Sequence, residues 1–186
     1  MDLTFLGTRG EIEKKTRQHR RHSALLVSVA DARVLLDCGA DWLNRVAALR
    51  PSAIVLTHGH PDHASGLRDG APCPVYATAE TWQVLAVYPI PERRIIPQRE
   101  PIDVAGIVFE AFPVEHSTRA PAVGYRITVD RRSAFYVPDV VAIPDPAAAL
   151  HAIDIYIGDG ATVTRPMIRR RDGTRIGHAP IRIQLD

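Results

Sequence analysis

Ile54-Val55-Leu56-Thr57-His58-Gly59-His60-Pro61-Asp62-His63 is the stretch whose reading decides the fold of this chain. An unbroken aliphatic run, as expected of a strand covered on both faces, leads directly into three histidines and an aspartate. Residues two apart in extended backbone project to the same side, so His58 and His60 are predicted to point together. Asp62 and His63 follow, where Ala64-Ser65-Gly66-Leu67 predicts the start of a helix. A strand-to-helix turn of this kind brings four donor groups to one point. Neutral imidazole and carboxylate suit Zn²⁺ and its first-row neighbours, and such groups pack poorly together without a cation.

If a metal is held here, further donors are expected at other strand ends. His116, in Val114-Glu115-His116-Ser117, follows an apolar strand pattern. Asp139, in Tyr136-Val137-Pro138-Asp139, ends another, and its carboxylate can bridge two ions. Asp37, in Leu36-Asp37-Cys38-Gly39, is read as a partner that orients a ligand histidine from behind. His19, His22 and His151 stand in polar or helical settings and are read as non-ligands.

Working outward, residues 3–6 read as a strand ending at Gly7-Thr8-Arg9-Gly10. Residues 11–22, with Lys14, Lys15, Arg17, Arg20 and Arg21, read as an exposed loop, more simply solvated than phosphate-binding. Residues 23–29 and 33–38 form a hairpin pattern. Residues 41–49 predict a short amphipathic helix capped by Asp41 and halted by Pro51. A strand at 74–77 precedes a helix at 78–87, opened by Thr78-x-x-Thr81. Pro89, Pro91 and Pro97 predict an irregular connection. Strands are expected at 107–114, 123–129 and 133–137, a brief helix at 145–151 begun by Pro146, and a buried strand at 153–157. Residues 164–177 read as an arginine-rich polar tail, and 181–185 as a further helix or strand. Two consecutive sets of strands with helices outside give an α/β (α+β) four-layer αββα sandwich, with a doubly wound parallel sheet as the competing arrangement. The whole span 1–186 fits one domain.

A formal charge of +2 is nearly neutral and makes no case for a bulk nucleic-acid binder. Of the 23 basic residues 21 are arginine, whose planar fork bonds phosphate better than lysine does, although genome composition explains the bias more simply. Two cysteines, Cys38 and Cys73, are too few for a cysteine-based zinc site or a disulfide framework. No apolar run is long enough to span a membrane, and the first residues read as a strand and not as a leader, so a cytoplasmic location is expected.

The ordered series Asp37-Cys38-Gly39, Thr57-His58-Gly59-His60-Pro61-Asp62-His63, His116 and Asp139 resembles the metallo-β-lactamase-fold hydrolases. That resemblance implies the αββα sandwich with a two-metal site at the sheet edge. His58, His60 and His116 would hold one ion and Asp62 and His63 the second, with Asp139 bridging. Phe5-Leu6-Gly7-Thr8-Arg9-Gly10, and Glu115-His116-Ser117 followed by Gly124-Tyr125-Arg126, resemble the phosphodiesterase branch, which includes tRNase Z and the cyclic phosphodiesterase of the carbon–phosphorus lyase pathway. Asp159-Gly160-Ala161-Thr162 with Gly177-His178 is similar to the tRNase Z pairing of His-Glu-Ala-Thr with a later Gly-His-Ser-Thr, which implies proton donation to the leaving group. His178 matches that pattern; Gly160 stands where the family has Glu, with Asp159 one place before it. A last metal-binding histidine of the family has no counterpart before Asp186. His178 replacing it, a partner chain completing the site, or a C-terminally short, truncated version would each account for that, with truncation favoured and a weakly held second metal expected.

The resemblance thus implies a metal-dependent hydrolase with two divalent ions, Zn²⁺ ahead of Mn²⁺ or Fe²⁺. Ions about 3.5–4 Å apart would acidify a shared water for attack on a phosphodiester. Asp62 is expected to orient that water and His178 to protonate the leaving oxygen. Arg119 reads first as a surface residue and second as a group steadying phosphate oxygens. A small phosphodiester is favoured as substrate, with an RNA end possible and a homodimer compatible. The alternatives are a thioester, lactone or β-lactam hydrolase of the same fold, and a non-catalytic metal-binding module.

Overall fold

The computed structural model describes residues 1–184. Its first sheet has six strands in sequence order: β1 (Asp2–Gly7), β2 (Ala24–Val29), β3 (Ala32–Leu36), β4 (Ala53–Val55), β5 (Val75–Ala77) and β6 (Arg93–Ile95). β1 to β3 are antiparallel, whereas β3 to β6 run parallel. The second sheet has the order β11 (Ile155–Ile157), β10 (Arg132–Tyr136), β9 (Ala122–Val129), β8 (Ile107–Val114) and β7 (Ile102–Val104). It is antiparallel except for the β10–β11 pair.

Alternation along the strands builds the layers. Leu25, Val27, Val34, Leu36 and Val55 face inward against Phe109, Ala111, Tyr125 and Ile127 of the second sheet. Their neighbours Ala24, Leu26, Leu35 and Ile54 face outward into a second cluster with Trp42, Leu67, Trp82 and Leu85. That outer layer is made by α1 (Pro61–Ala64), α2 (Ala79–Val84) and three 3₁₀ turns. On the far side, Phe112, Phe135 and Val137 pack with Val140 and Ala149, the latter on α3 (Pro146–Ala149). The four layers are therefore αββα, with thin helical layers. The two sheets are pinned at one end: Val123 N donates to Thr57 O at 3.1 Å and the buried Tyr125 hydroxyl to Leu56 O at 3.0 Å.

Several local expectations are corrected. Residues 41–49 form two 3₁₀ turns, Ala40–Trp42 and Val46–Leu49, because Asn44 takes a left-handed backbone (φ 59°) between them. Asp41 caps neither turn; its carboxylate receives Arg9, Lys15 and the His22 backbone instead. The first helix begins at Pro61, not at Ala64. Inside the proline-rich connection lies β6, an exposed edge strand. β11 is an edge strand too, with Ile155 48% exposed, so it is not the buried strand expected. The arginine-rich segment is no unstructured tail: β12 (Met167–Arg171) and β13 (Thr174–His178) form a separate antiparallel hairpin. Ile181–Gln184 form a short helix, α4, and residue 185 of the expected element lies outside the described residues. Among the described residues no helix is long and apolar enough to cross a membrane.

Candidate metal centre

Every donor block leaves the C-terminal end of a strand. Asp37 follows β3, His58 to His63 follow β4, His116 follows β8, Asp139 follows β10 and Asp159 follows β11, while His178 is the last residue of β13. Parallel strands open their crevices at this end, so the sheets deliver all these side chains to one edge. His58, His60, His116 and Asp139 each offer a donor atom, all within 4.8 Å of one another. Asp62, His63 and Asp139 form a second such group, and Asp139, Asp159 and His178 a third. Asp139 is common to all three.

Hydrogen bonds behind the rings fix how each imidazole presents itself. His63 Nδ1 lies 2.8 Å from the buried Asp37 carboxylate. His116 Nδ1 donates to Gly177 O at 2.9 Å. The Thr57 hydroxyl donates to Asp37, so it accepts from His58 Nδ1 at 3.0 Å. Three histidines thus carry their proton on Nδ1 and turn an Nε2 lone pair inward, the arrangement that metal-ligating histidines require. His60 presents the other nitrogen: its Nδ1 is 3.0 Å from His58 Nε2 and 3.1 Å from His116 Nε2. Three nitrogens this close share too few protons to satisfy each other, and a cation at their centre resolves the conflict.

Charge and burial act in the same sense. Desolvation, followed by the neighbouring His63, lowers the pKa of His58; desolvation and His116 do the same for His60. His116 falls to about 4, again chiefly through burial, then His58. Burial alone would raise Asp62 and Asp139, but His63 outweighs it for Asp62, and His63 with His58 for Asp139, so both carboxylates are held below their ordinary values. His63 is the exception. Burial pulls it down, yet Asp139 and Asp37 lift it well above 6.5.

The predicted ligand residues His58, His60, Asp62, His63, His116 and Asp139 are therefore all brought together, and Asp37 stands behind them. His178 joins the same cluster, its ring centroid 5.1 Å from that of His116. Its Nδ1 lies 2.7 Å from Oδ2 of the buried Asp159, and 4.0 Å from Asp139 Oδ1. The Asp159 partnership was not evident from the motif, because Gly160 holds the matching position; Gly160 is exposed, and a side chain there would open into free space. Asp159 is further fixed by Val140 N at 3.1 Å and Ala161 N at 2.8 Å. His19 and His151 lie outside the cluster, and Arg119 is exposed. His22, read as a non-ligand, is outside the donor groups but has structural partners: Asp41 N donates to its Nδ1 at 3.1 Å, and its carbonyl receives Trp42 Nε1 at 3.0 Å. That lock holds the loop 8–22 against Gly39, where a side chain would strike both His22 and the Asp62 carbonyl. The loop itself starts at the rim, since a Cβ on Gly10 would lie 3.7 Å from Asp62 Oδ2.

Comparison with known proteins bears on the family and the fold. Ribonuclease Z of Mycobacterium marinum is 27% identical over 183 residues, covering 77% of this chain; the chain spans 64% of that relative's length. A diphosphatase of the PhnP family superposes with a TM-score of 0.69 at 29% identity, over 94% of this chain and 78% of its own. The short form of human tRNase Z has the same fold, with a TM-score of 0.69 at 21% identity over 98% of this chain and 86% of its own. The model of the beta-lactamase superfamily domain matches residues 32–184, which include every donor of the cluster, and the chain belongs to that family.

Proposed function

We propose that this protein is a metal-dependent phosphodiesterase. One carboxylate oxygen carries the reading: Asp139 Oδ2 lies 3.5 Å from His58 Nε2, 3.3 Å from His116 Nε2 and 3.4 Å from His63 Nε2, so it faces both donor sets. His58, His60, His116 and Asp139 would hold one divalent ion, and Asp62, His63 and Asp139 would hold a second with fewer donors. The mixed imidazole and carboxylate set favours zinc, with manganese or iron as substitutes. When bound, such a pair supplies Lewis acidity toward phosphoryl oxygens and water of lowered pKa.

The chain's own groups do the rest. Asp37 and Gly177 keep His63 and His116 in their ligating tautomer. The ionised Asp62 accepts a hydrogen bond from the attacking water and aims it. The protonated His178 donates a hydrogen bond from Nδ1 to Asp159, which leaves its Nε2 proton to pass to the leaving oxygen. Burial would lower the His178 pKa, but the Asp159 hydrogen bond and the Asp139 charge raise it, which favours the protonated ring. The names ribonuclease and diphosphatase, borne by a relative and a structural neighbour, support a phosphoryl over a carbonyl substrate. Assays at fixed metal on bis(p-nitrophenyl) phosphate, a 3′-extended RNA, a thioester and a lactone test this. Turnover of phosphodiesters is expected, the RNA and the small ester dividing the two substrate classes. Turnover of the carbonyl esters alone would overturn it.

A further inference from the structure

The β12–β13 hairpin stands outside both sheets, and apart from Gly177 and His178 at its root it is used by none of the chemistry above. Its root is fixed to the metal centre. Gly177 N donates to His116 O at 2.9 Å, Ala179 N to Val140 O at 2.7 Å, and Arg175 Nε to Glu115 at 2.7 Å. Its tip is the turn Asp172-Gly173, both left-handed (φ 49° and 82°), and residues 169–175 are all exposed. Between 165 and 182 the sequence has six arginines against one aspartate, so the remaining 17 basic and 20 acidic residues leave the rest of the chain negative. The near-neutral total therefore conceals a concentrated positive arm.

Register shows where that charge points. Met167 pairs with His178, Arg169 with Ile176 and Arg171 with Thr174, so Arg169 and Arg171 share one face with His178. Alternate residues on a strand stand roughly 6.6 Å apart, close to the step between successive phosphates of a nucleotide chain. Among the described residues Arg169 and Arg170 make no ion pair, and Arg171 has only its neighbour Asp172 at 3.9 Å. Guanidinium forks bond the paired oxygens of phosphate and of carboxylate alike, so the phosphorus chemistry proposed for the adjoining centre is what favours a phosphate chain.

We infer that this hairpin is a docking arm for the phosphate backbone of single-stranded RNA, with Arg169 and Arg171 laying the chain along the face that ends at His178. The inference deepens the phosphodiesterase reading and rests on it for the choice of RNA. Binding is therefore measured apart from turnover, by anisotropy of a fluorescein-labelled oligouridylate with the metal-loaded protein, checking that the oligonucleotide stays intact. Two variants of equal charge change are compared: R169E/R171E on the arm, and R131E/R132E at the β9–β10 turn, the end of the sheet remote from the centre. The arm variant is expected to bind about tenfold or more weakly, and its log K against log salt slope to flatten by about 1.4. The control should change less than about twofold. Equal weakening by both variants, no weakening by either, or equally tight binding of poly-glutamate would overturn the assignment. RNA binding through the arm without hydrolysis of any phosphodiester would sustain the arm while removing the phosphodiesterase reading.

Discussion

Asp37 puts no atom at the metal centre, yet it governs two of the ligands. It bonds His63 directly and reaches His58 through Thr57, from a left-handed backbone position (φ 60°) and full burial. An Asp37→Asn variant removes the acceptor charge while keeping the shape, and metal affinity should fall about 10–100-fold in equilibrium dialysis. Undiminished affinity would show that the rings are oriented by other contacts. The Asp159–His178 pair makes a prediction in pH. Because Asp159 raises the His178 pKa, the protonated ring persists above 6.5, and activity that needs it falls as pH rises through that raised value. Asp159→Asn should move this alkaline limb of kcat to lower pH; a limb that stays in place would remove His178 as proton donor. The ligands at 58–63 were legible because four donor side chains in so short a run have few structural uses. Asp159 was not, because a motif position is counted along the chain, whereas the carboxylate reaches His178 from one residue earlier.

At the scale of elements, short-range chemistry was read well where it is local. Thr78 does cap α2, accepting from Thr81 N at 3.3 Å while 2% exposed, and α3 starts at Pro146 behind an Asp145 cap. Replacing Thr78 by Ala should cost about 1 kcal/mol and lower Tm by about 2–4 °C in a thermal melt. No change would mean that packing of Trp82 and Leu85 alone holds the helix. Elements shaped by tertiary partners were misread. The apolar spacing at 41–49 fits a helix, but Asp41 is committed to Arg9, Lys15 and His22, and the backbone turns left-handed at Asn44. β12–β13 carries so many arginines that composition masked it. The dipeptide Asp172-Gly173 is the usual mark of a two-residue hairpin turn and would have revealed it.

At the scale of the whole molecule, the layering followed from alternation and strand order, and the sheet edge that gathers the donors followed from the layering. The resemblance implied a weaker second site, but the sequence could not supply the proton balance that separates the two donor sets. In the set of His58, His60 and His116 the lowered pKa values keep protons off until below pH 6.5, for His116 to about 4. His63 instead holds a proton above 6.5, which a metal must displace, so its set weakens as pH falls through that raised value. Dialysis from about pH 8 to about pH 5 should release one ion before the other, read by metal content per chain; simultaneous release would contradict the inequality. The account as a whole rests on metal held by these side chains. Elemental analysis of the purified protein beside its His116→Ala variant tests that most directly. One firmly bound divalent ion per chain, with a second in excess metal, and loss of the firm ion in the variant is the result predicted. A protein without bound metal, or a variant that keeps its full complement, would contradict it.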